Sequence, residues 1–446
     1  MSAKLQVGFG RADITPLEPV PLRGYGNTSK RISNHVLSKL YATCVAFTDC
    51  EDNTVLLFHN DLCCSPEEVI NPIREAINAA TCVPFSHIMV GATHTHSAPD
   101  ICNLEVPTIP RYIAYLKEQM VQCAVEALAD RKPTQAYTAR TQTDRLNFVR
   151  HYVMADGTLK GGNFGNLNGT YYVGHATEPD PEMRLVKFVR EGGIDILLVN
   201  WQAHPHRTGG IQKFDVSSDI IGVMRDEMES ALGCKFIYFT GGAGNLNPTS
   251  YMPEENRTMD YLVQGRYLAE HALSVIDKFE KAETGKVQLL ETIQPEPINR
   301  PDSTLLEHAR EVIAHWTETY DAPSSVKLAN SYGINSQYAA GSLIRTAEAP
   351  FDSRDVAMYA FSIGDIAFIT APYEMFDTNA KYVRDFSPFP MTIISSCTNG
   401  DHFYIPSVYA YLHGSYEVDQ AWFKPGTGEK FAQIYVNMLK KLYETR

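Results

Sequence analysis

The chain has 446 residues, 44% of them hydrophobic and 20% charged, with a formal net charge of -13 at pH 7. That is the composition of a soluble globular protein able to bury a large core. The acidity argues against nucleic acid or an anionic membrane surface as the main partner, and no window approaches the 18 or so apolar residues of a bilayer-spanning helix. The first eight residues, Met1 to Gly8, lack the apolar stretch of a secretory signal. Nine cysteines, an odd number with Cys63 and Cys64 adjacent, read as free thiols in a reducing compartment. A cytoplasmic location is the expectation.

In chain order, a Pro- and Gly-rich stretch at 15–26 reads as a meandering loop. Strands are expected at 41–47 and 54–61, and a helix over 66–80, with Ser65 as its cap. The apolar run at 88–92 reads as a buried strand. A second helix spans 111–130, with Ile113, Leu116, Met120 and Cys123 forming one apolar stripe. Residues 141–181, rich in Gly, Asn, Tyr and Asp, read as loops or short hairpins, and 164–172 as part of a pocket wall. Regular alternation returns with a strand at 194–201, a helix at 220–232, a strand at 236–240, a Gly-rich turn at 241–248 and a helix at 259–279. The Pro-rich stretch 291–302 reads as a linker, which would subdivide the chain near 285–302, or as an extended edge strand. A helix at 303–320, strands at 356–362, 367–370 and 391–396, and a helix at 429–444 complete the chain. The pattern predicts an α/β fold with central β-sheets flanked by helices, in one domain over 1–446.

The chemistry collects at strand ends. The run 88–92 leads into His94-Thr-His96, and the run 196–201 leads into His204-Pro-His206. Residues i and i+2 of extended chain face one side, so such pairs suit a divalent ion. Further apolar strands end at Asp61, Asn245, Glu374 and the Asn399-Gly-Asp-His402 turn. That convergence predicts a crevice beyond the carboxyl ends of the strands. Zinc favours imidazole nitrogen and carboxylate oxygen, and makes a water reactive at neutral pH. A second group must then handle a proton; His96, His206, Asp219 and His402 are the candidates. Gly241–Gly244 lacks the Lys-Ser/Thr of a phosphate loop and reads as a tight turn in the site.

These residues resemble the neutral/alkaline, non-lysosomal ceramidases, specifically their N-terminal catalytic domain. The resemblance runs from Gly8-Phe-Gly-Arg-Ala-Asp-Ile-Thr-Pro16 through Arg23-Gly-Tyr-Gly26, Leu40-Tyr-Ala42 and Asn60-Asp-Leu62. It continues through Ala92-Thr-His-Thr-His-Ser97, its most specific part. Asp180-Pro-Glu182, Asn200-Trp201, Ala203-His-Pro205, Ser217-Ser-Asp219, Pro372-Tyr-Glu374 and Tyr404-Ile-Pro-Ser407 follow in order. It implies a ceramidase-like α/β domain with one zinc ion held by His94, His204, Glu374 and Tyr404; Asp401, three residues before Tyr404 and the harder oxygen donor, competes for the last place. It places His96 beside the ion, hydrogen-bonding substrate or helping with proton transfer; Arg23, Tyr25 and His402 are separately expected to bind substrate.

Three departures follow. Where ceramidases carry a Gly-Asp-Val-Ser-Pro-like turn with a catalytic Ser, this chain reads Gly244-Asn-Leu-Asn-Pro248. Asn247 is no nucleophile, so water takes that part, with Asn245 or Asn247 free to hydrogen-bond a carbonyl. The C-terminal immunoglobulin-like domain and the secretory signal of ceramidases are not expected here, which turns the expectation from ceramide to a soluble small molecule. The expected activity is zinc-dependent hydrolysis of an amide. The alternatives are an ester or lactone hydrolase with the same metal, or a non-catalytic homologue that binds metal or ligand.

Overall fold

The computed structural model describes residues 5–25, 30–161, 172–210, 213–252, 255 and 259–446. Two sheets lie face to face between layers of helix. The larger has nine strands. Its main path runs Lys235–Thr240, Ile196–Trp201, Glu182–Arg190, Lys132–Gln142, Gln6–Asp13, Tyr41–Thr48, Thr54–Asn60 and Ile88–Ala92, with Glu280–Ala282 beside Lys132–Gln142. The smaller has four: Val287–Pro297, Ser353–Ile363, Ile366–Thr370 and Met391–Ser395.

Period-two alternation explains the layering. Along Tyr41–Thr48, Val45 and Phe47 point between the sheets, whereas Ala42, Cys44 and Ala46 point to the helices Glu67–Thr81 and Thr108–Ala129. Phe361 stacks on Phe368 at 4.4 Å, and Phe47 contacts Phe188 at 5.4 Å and Phe368 at 5.8 Å. Each such ring stabilises the fold by about 1.5–3 kcal/mol through burial. Elsewhere the large sheet is covered by Asp219–Leu232 and Tyr261–Leu273, and the small sheet by Asp377–Asp385 and Thr427–Glu444.

Three parallel strand pairs carry the site: Thr54–Asn60 with Ile88–Ala92, Ile196–Trp201 with Lys235–Thr240, and Ile366–Thr370 with Met391–Ser395. The remaining pairings of the two sheets are antiparallel. Sheet order puts the first two pairs at opposite edges, yet the edges meet. The segment after Met391–Ser395 joins them: Ser396 N–H donates to Thr240 O at 2.9 Å, and Asn399 N–H to Val90 O at 2.9 Å. Asn399 Oδ1 also accepts from Val90 N at 2.8 Å, and Thr240 Oγ1 donates to Thr93 O at 2.9 Å. All three pairs therefore discharge their C-terminal ends into one crevice.

Several expectations change in detail. The Pro-rich stretch is an edge strand, Val287–Pro297, paired along its whole length with Ser353–Ile363. Pro295 and Pro297 are tolerated because an edge strand has one side without a ladder. The 259–279 helix ends at Leu273, and Ala322–Ser331, Gln337–Ala347, Asp377–Asp385, Val408–His413 and Tyr416–Gln420 are helices with no clear signal in the apolar pattern. The stretch expected to form a pocket wall lies outside the described residues up to position 171, and Tyr172 stacks on Tyr251 at 5.5 Å. Among the described residues no helix is long and apolar enough to cross a membrane.

Candidate metal centre

His94 leaves the end of its strand with φ +70°. This left-handed turn is costly for a side-chain-bearing residue and persists only where its surroundings fix it. They do so here: His94 N–H donates to Leu62 O at 2.9 Å, and His94 Nδ1 lies 2.6 Å from Cys63 O. His204 is held in the same manner, with its backbone N–H and its Nδ1 each 3.0 Å from Leu246 O. A carbonyl only accepts, so both Nδ1 atoms carry the hydrogen and each Nε2, when its ring is neutral, presents a lone pair. Glu374 enters from a short parallel pairing of Glu374–Met375 with Tyr404–Ile405, where Glu374 and Tyr404 are register partners.

Glu374 Oε2 lies 3.2 Å from His94 Nε2 and 3.1 Å from His204 Nε2. That oxygen is buried between the two imidazoles. With both rings neutral, three lone-pair-bearing atoms would converge in a dry site and repel one another, so a proton or a metal cation belongs among them. Burial opposes charge on His94, yet the Glu374 carboxylate outweighs it and lifts the imidazole to about 9. Burial together with Arg150 drops His204 to about 3. Burial likewise opposes charge on Glu374, but the two imidazoles hold it well below the usual carboxylate range. A divalent ion would take over from the shared proton, and the two nitrogens and one oxygen suit zinc.

The other expected site residues take distinct places. His96 sits against His94, with Nε2 atoms 3.3 Å apart. Burial and then its neighbours His94 and His204 push its pKa far down, so the ring is neutral. His206 faces Asn247, whose Oδ1 lies 3.1 Å from His206 Nε2, and burial lowers it to about 4. The four imidazoles therefore meet as neighbours, but only His94 and His204 converge on Glu374. Tyr25 touches both pairs: its ring meets His96 edge-on at 5.4 Å, and its hydroxyl donates to His206 O at 3.3 Å. Tyr404 is buried, with its ring parallel to that of His204 at 6.5 Å.

Five residues lie further out. Asp219 accepts from Thr208 N and Thr208 Oγ1, both at 2.6 Å, and so braces the segment after His206. Asn245 is occupied at both ends by Asp377, donating to Oδ1 at 2.7 Å and accepting from its N–H at 3.0 Å. His402 Nε2 lies 3.0 Å from Glu67 Oε1. Arg23 pairs with Asp100 at 3.4 Å and Asp401 at 3.8 Å. Asp401 thus groups with Arg23, Cys64 and Cys102, outside the cluster of His94, His204 and Glu374.

Sequence reasoning missed Arg150, His151 and Glu417. Glu417 binds Arg150 Nε through Oε1 and His151 Nε2 through Oε2, the latter at 2.8 Å. Arg150 Nη1 reaches His204 Nε2 and Asn247 Oδ1, each at 3.4 Å, and the guanidinium lies 5.4 Å from the Tyr404 ring centre. A fixed cation thereby borders the metal centre. No spacing signals it, because Glu417 lies 267 positions from Arg150. A cavity of about 510 Å³ opens beside this cluster, lined by His151, Asn245, Phe376, Asn379 and Tyr382 among others; neither Glu374 nor the four imidazoles line it.

No protein-family model and no curated protein matches the sequence. Solved structures do match the fold. The neutral ceramidase of Pseudomonas aeruginosa is similar over 100% of this chain and 75% of its own, with a TM-score of 0.75 and 17% identity. A ceramidase complexed with C2 is similar over 100% and 76%, with a TM-score of 0.74 and 16% identity. The fold is that of the neutral ceramidases.

Proposed function

We propose that the protein is a zinc-dependent hydrolase that cleaves an amide of a small molecule. The observation that carries this reading is the approach of His94 Nε2 and His204 Nε2 to Glu374 Oε2, at 3.2 and 3.1 Å, with both Nδ1 atoms committed to carbonyls. Tyr404, register partner of Glu374, is the fourth ligand in this reading. Asp401 is kept from that part by Arg23. An ion held there would supply Lewis acidity toward a carbonyl and make a water nucleophilic near neutral pH. Amide cleavage is supported by the fold shared with ceramidases, ceramide being an amide.

The chain's own groups divide the remaining work. Neutral His96 accepts the proton that the attacking water loses, and passes it to the departing amine nitrogen. His206, its Nε2–H on Asn247 Oδ1, keeps Nδ1 as an acceptor and orients the polar wall. The Arg150 guanidinium, held 3.4 Å from His204 Nε2, would stabilise negative charge gathering on a carbonyl oxygen bound beside it, and its fixed position costs no reorganisation during the reaction. Asn247 is an amide and cannot be the nucleophile; it holds Arg150 and His206 in register. The walls described here, His96, His206, Tyr25, Arg150 and Asn247, suit a small polar amide.

The test is a substrate panel run on zinc-loaded protein: water-soluble N-acyl amides, the matching esters and lactones, and a short-chain ceramide in detergent. Turnover of the amides, abolished by a chelator and restored by zinc, is the expected result. Ester-only turnover would replace the amide assignment, and zinc binding without turnover anywhere on the panel would end the hydrolase reading.

Gly24 supplies a second test. It has φ +110°, and a Cβ there would collide with His96 Cγ and Cβ. Gly24→Ala is expected to keep its zinc, because His96 is not a ligand, while the displaced ring lowers kcat by roughly 10²-fold. Unchanged kcat would remove His96 from the proton path.

A further inference from the structure

Beyond the candidate metal centre, the fold brings two thiols together. Cys64 lies between the strand Thr54–Asn60 and the helix Glu67–Thr81, and Cys102 lies in the segment after His94-Thr-His96. Their sulfurs are 3.4 Å apart and both thiols are free. A disulfide needs an S–S separation of ~2.05 Å, so closure asks for roughly 0.7 Å from each sulfur. Cys64 is buried, whereas Cys102 is partly exposed, so an oxidant has a way in. Arg23, held between Asp100 at 3.4 Å and Asp401 at 3.8 Å, acts electrostatically on both thiols, and an Asp401 oxygen lies within 4.8 Å of both sulfurs.

We propose that Cys64 and Cys102 form a reversible disulfide when the protein meets a peroxide. The Cys102 thiol is oxidised to a sulfenic acid while the peroxide O–O bond breaks and water leaves. The Cys64 thiol then attacks that sulfur, the S–S bond forms, and the sulfenic oxygen departs as a second water. Two thiols are oxidised by two electrons and one peroxide is reduced. The modification bears on the metal centre through a short covalent path. The residue before Cys64 supplies the Cys63 carbonyl that holds His94 Nδ1 at 2.6 Å, and Leu62 O holds His94 N–H. Drawing Cys64 toward Cys102 shifts that carbonyl, and with it the aim of His94 Nε2. This second step rests on the metal reading above; the disulfide itself does not.

The experiment treats full-length zinc-loaded protein with a small excess of hydrogen peroxide, maps thiols by non-reducing peptide mass spectrometry, and measures zinc per chain in parallel. A Cys64–Cys102 cross-linked peptide that has lost two hydrogens and is restored by dithiothreitol is expected in the wild type. It should be absent in Cys102→Ser. A different pairing, such as Cys63 with Cys64, would overturn the assignment, as would Cys102 over-oxidised with no cross-link. So would a second zinc ion lost in Cys102→Ser, because the pair would then be a metal site. Zinc falling several-fold on oxidation of the wild type but not of Cys102→Ser supports the coupling. The cross-link with unchanged zinc would confine the proposal to the disulfide and overturn its effect on the centre. Absence of zinc from untreated protein would sink the metal reading while leaving the cross-link test intact.

Discussion

His204→Ala is expected to take the bound zinc from about one ion per chain to none, with the fold kept. His204 is fully buried, its Nδ1 is committed to Leu246 O, and its Nε2 faces Glu374. Removing it leaves one imidazole, a carboxylate and the Tyr404 phenol, too few strong ligands to retain zinc. Activity should fall by more than the roughly 10–100-fold that loss of an outer partner of a ligand costs. The informative control lies two residues away. His206 Nε2 is on Asn247, so His206→Ala should keep its zinc and lose roughly 10²-fold in rate, as a residue that orients the wall of the site does. Elemental analysis by mass spectrometry and circular dichroism on both variants read the difference. Full zinc in His204→Ala, or none in His206→Ala, would refute the ligand assignment.

Glu417→Gln should lower unfolding free energy by about 3–5 kcal/mol, measured by urea denaturation. Glu417 is 1% exposed and neutralises the buried Arg150 while also holding His151. Without its charge, Arg150 remains buried and ionised with its directly paired carboxylate gone. The same pairing gives a pH signature. Burial raises a carboxyl's pKa, but Arg150 and His151 outweigh it and hold Glu417 well below the ordinary range. A depressed folded-state pKa contributes stability that is fully present above the unfolded value of about 4.3 and is lost as pH falls toward the folded one. Wild-type stability should therefore drop below about pH 4 more steeply than that of Glu417→Gln. Equal slopes in the two proteins would show that the Arg150 pair does not govern acid unfolding.

The histidine pairs illustrate what a motif conveys. In extended chain both members of His94-Thr-His96 would face one ion. The left-handed backbone at His94 breaks that alternation, so His96 stands beside His94 rather than next to it around Glu374. Asp61, another polar strand end, pairs with Arg225 at 2.8 Å on the helix Asp219–Leu232 and stabilises the fold rather than the site. Asn245 and Asn247 sit two apart in one turn, yet one faces Asp377 and the other His206. Local pattern located the polar endings of strands; where each side chain points depends on partners distant in sequence.

What the sequence determined by itself follows from short-range physics. Apolar runs with polar ends predict buried strands, their alternation with amphipathic helices predicts sheets between helices, and paired histidines at two strand ends mark where chemistry gathers. The tertiary structure decided which ends meet. The strand pairs leading to His94 and His204 lie at opposite edges of the large sheet, and the segment Ser396–Asn399, after a strand of the other sheet, brings those edges together. It also delivered Arg150 and Glu417 to the same place through a buried ion pair. Such contacts depend on how whole layers close over a shared core, and the free energy of that closure is spread over many rings and strands rather than recorded in any one stretch of residues.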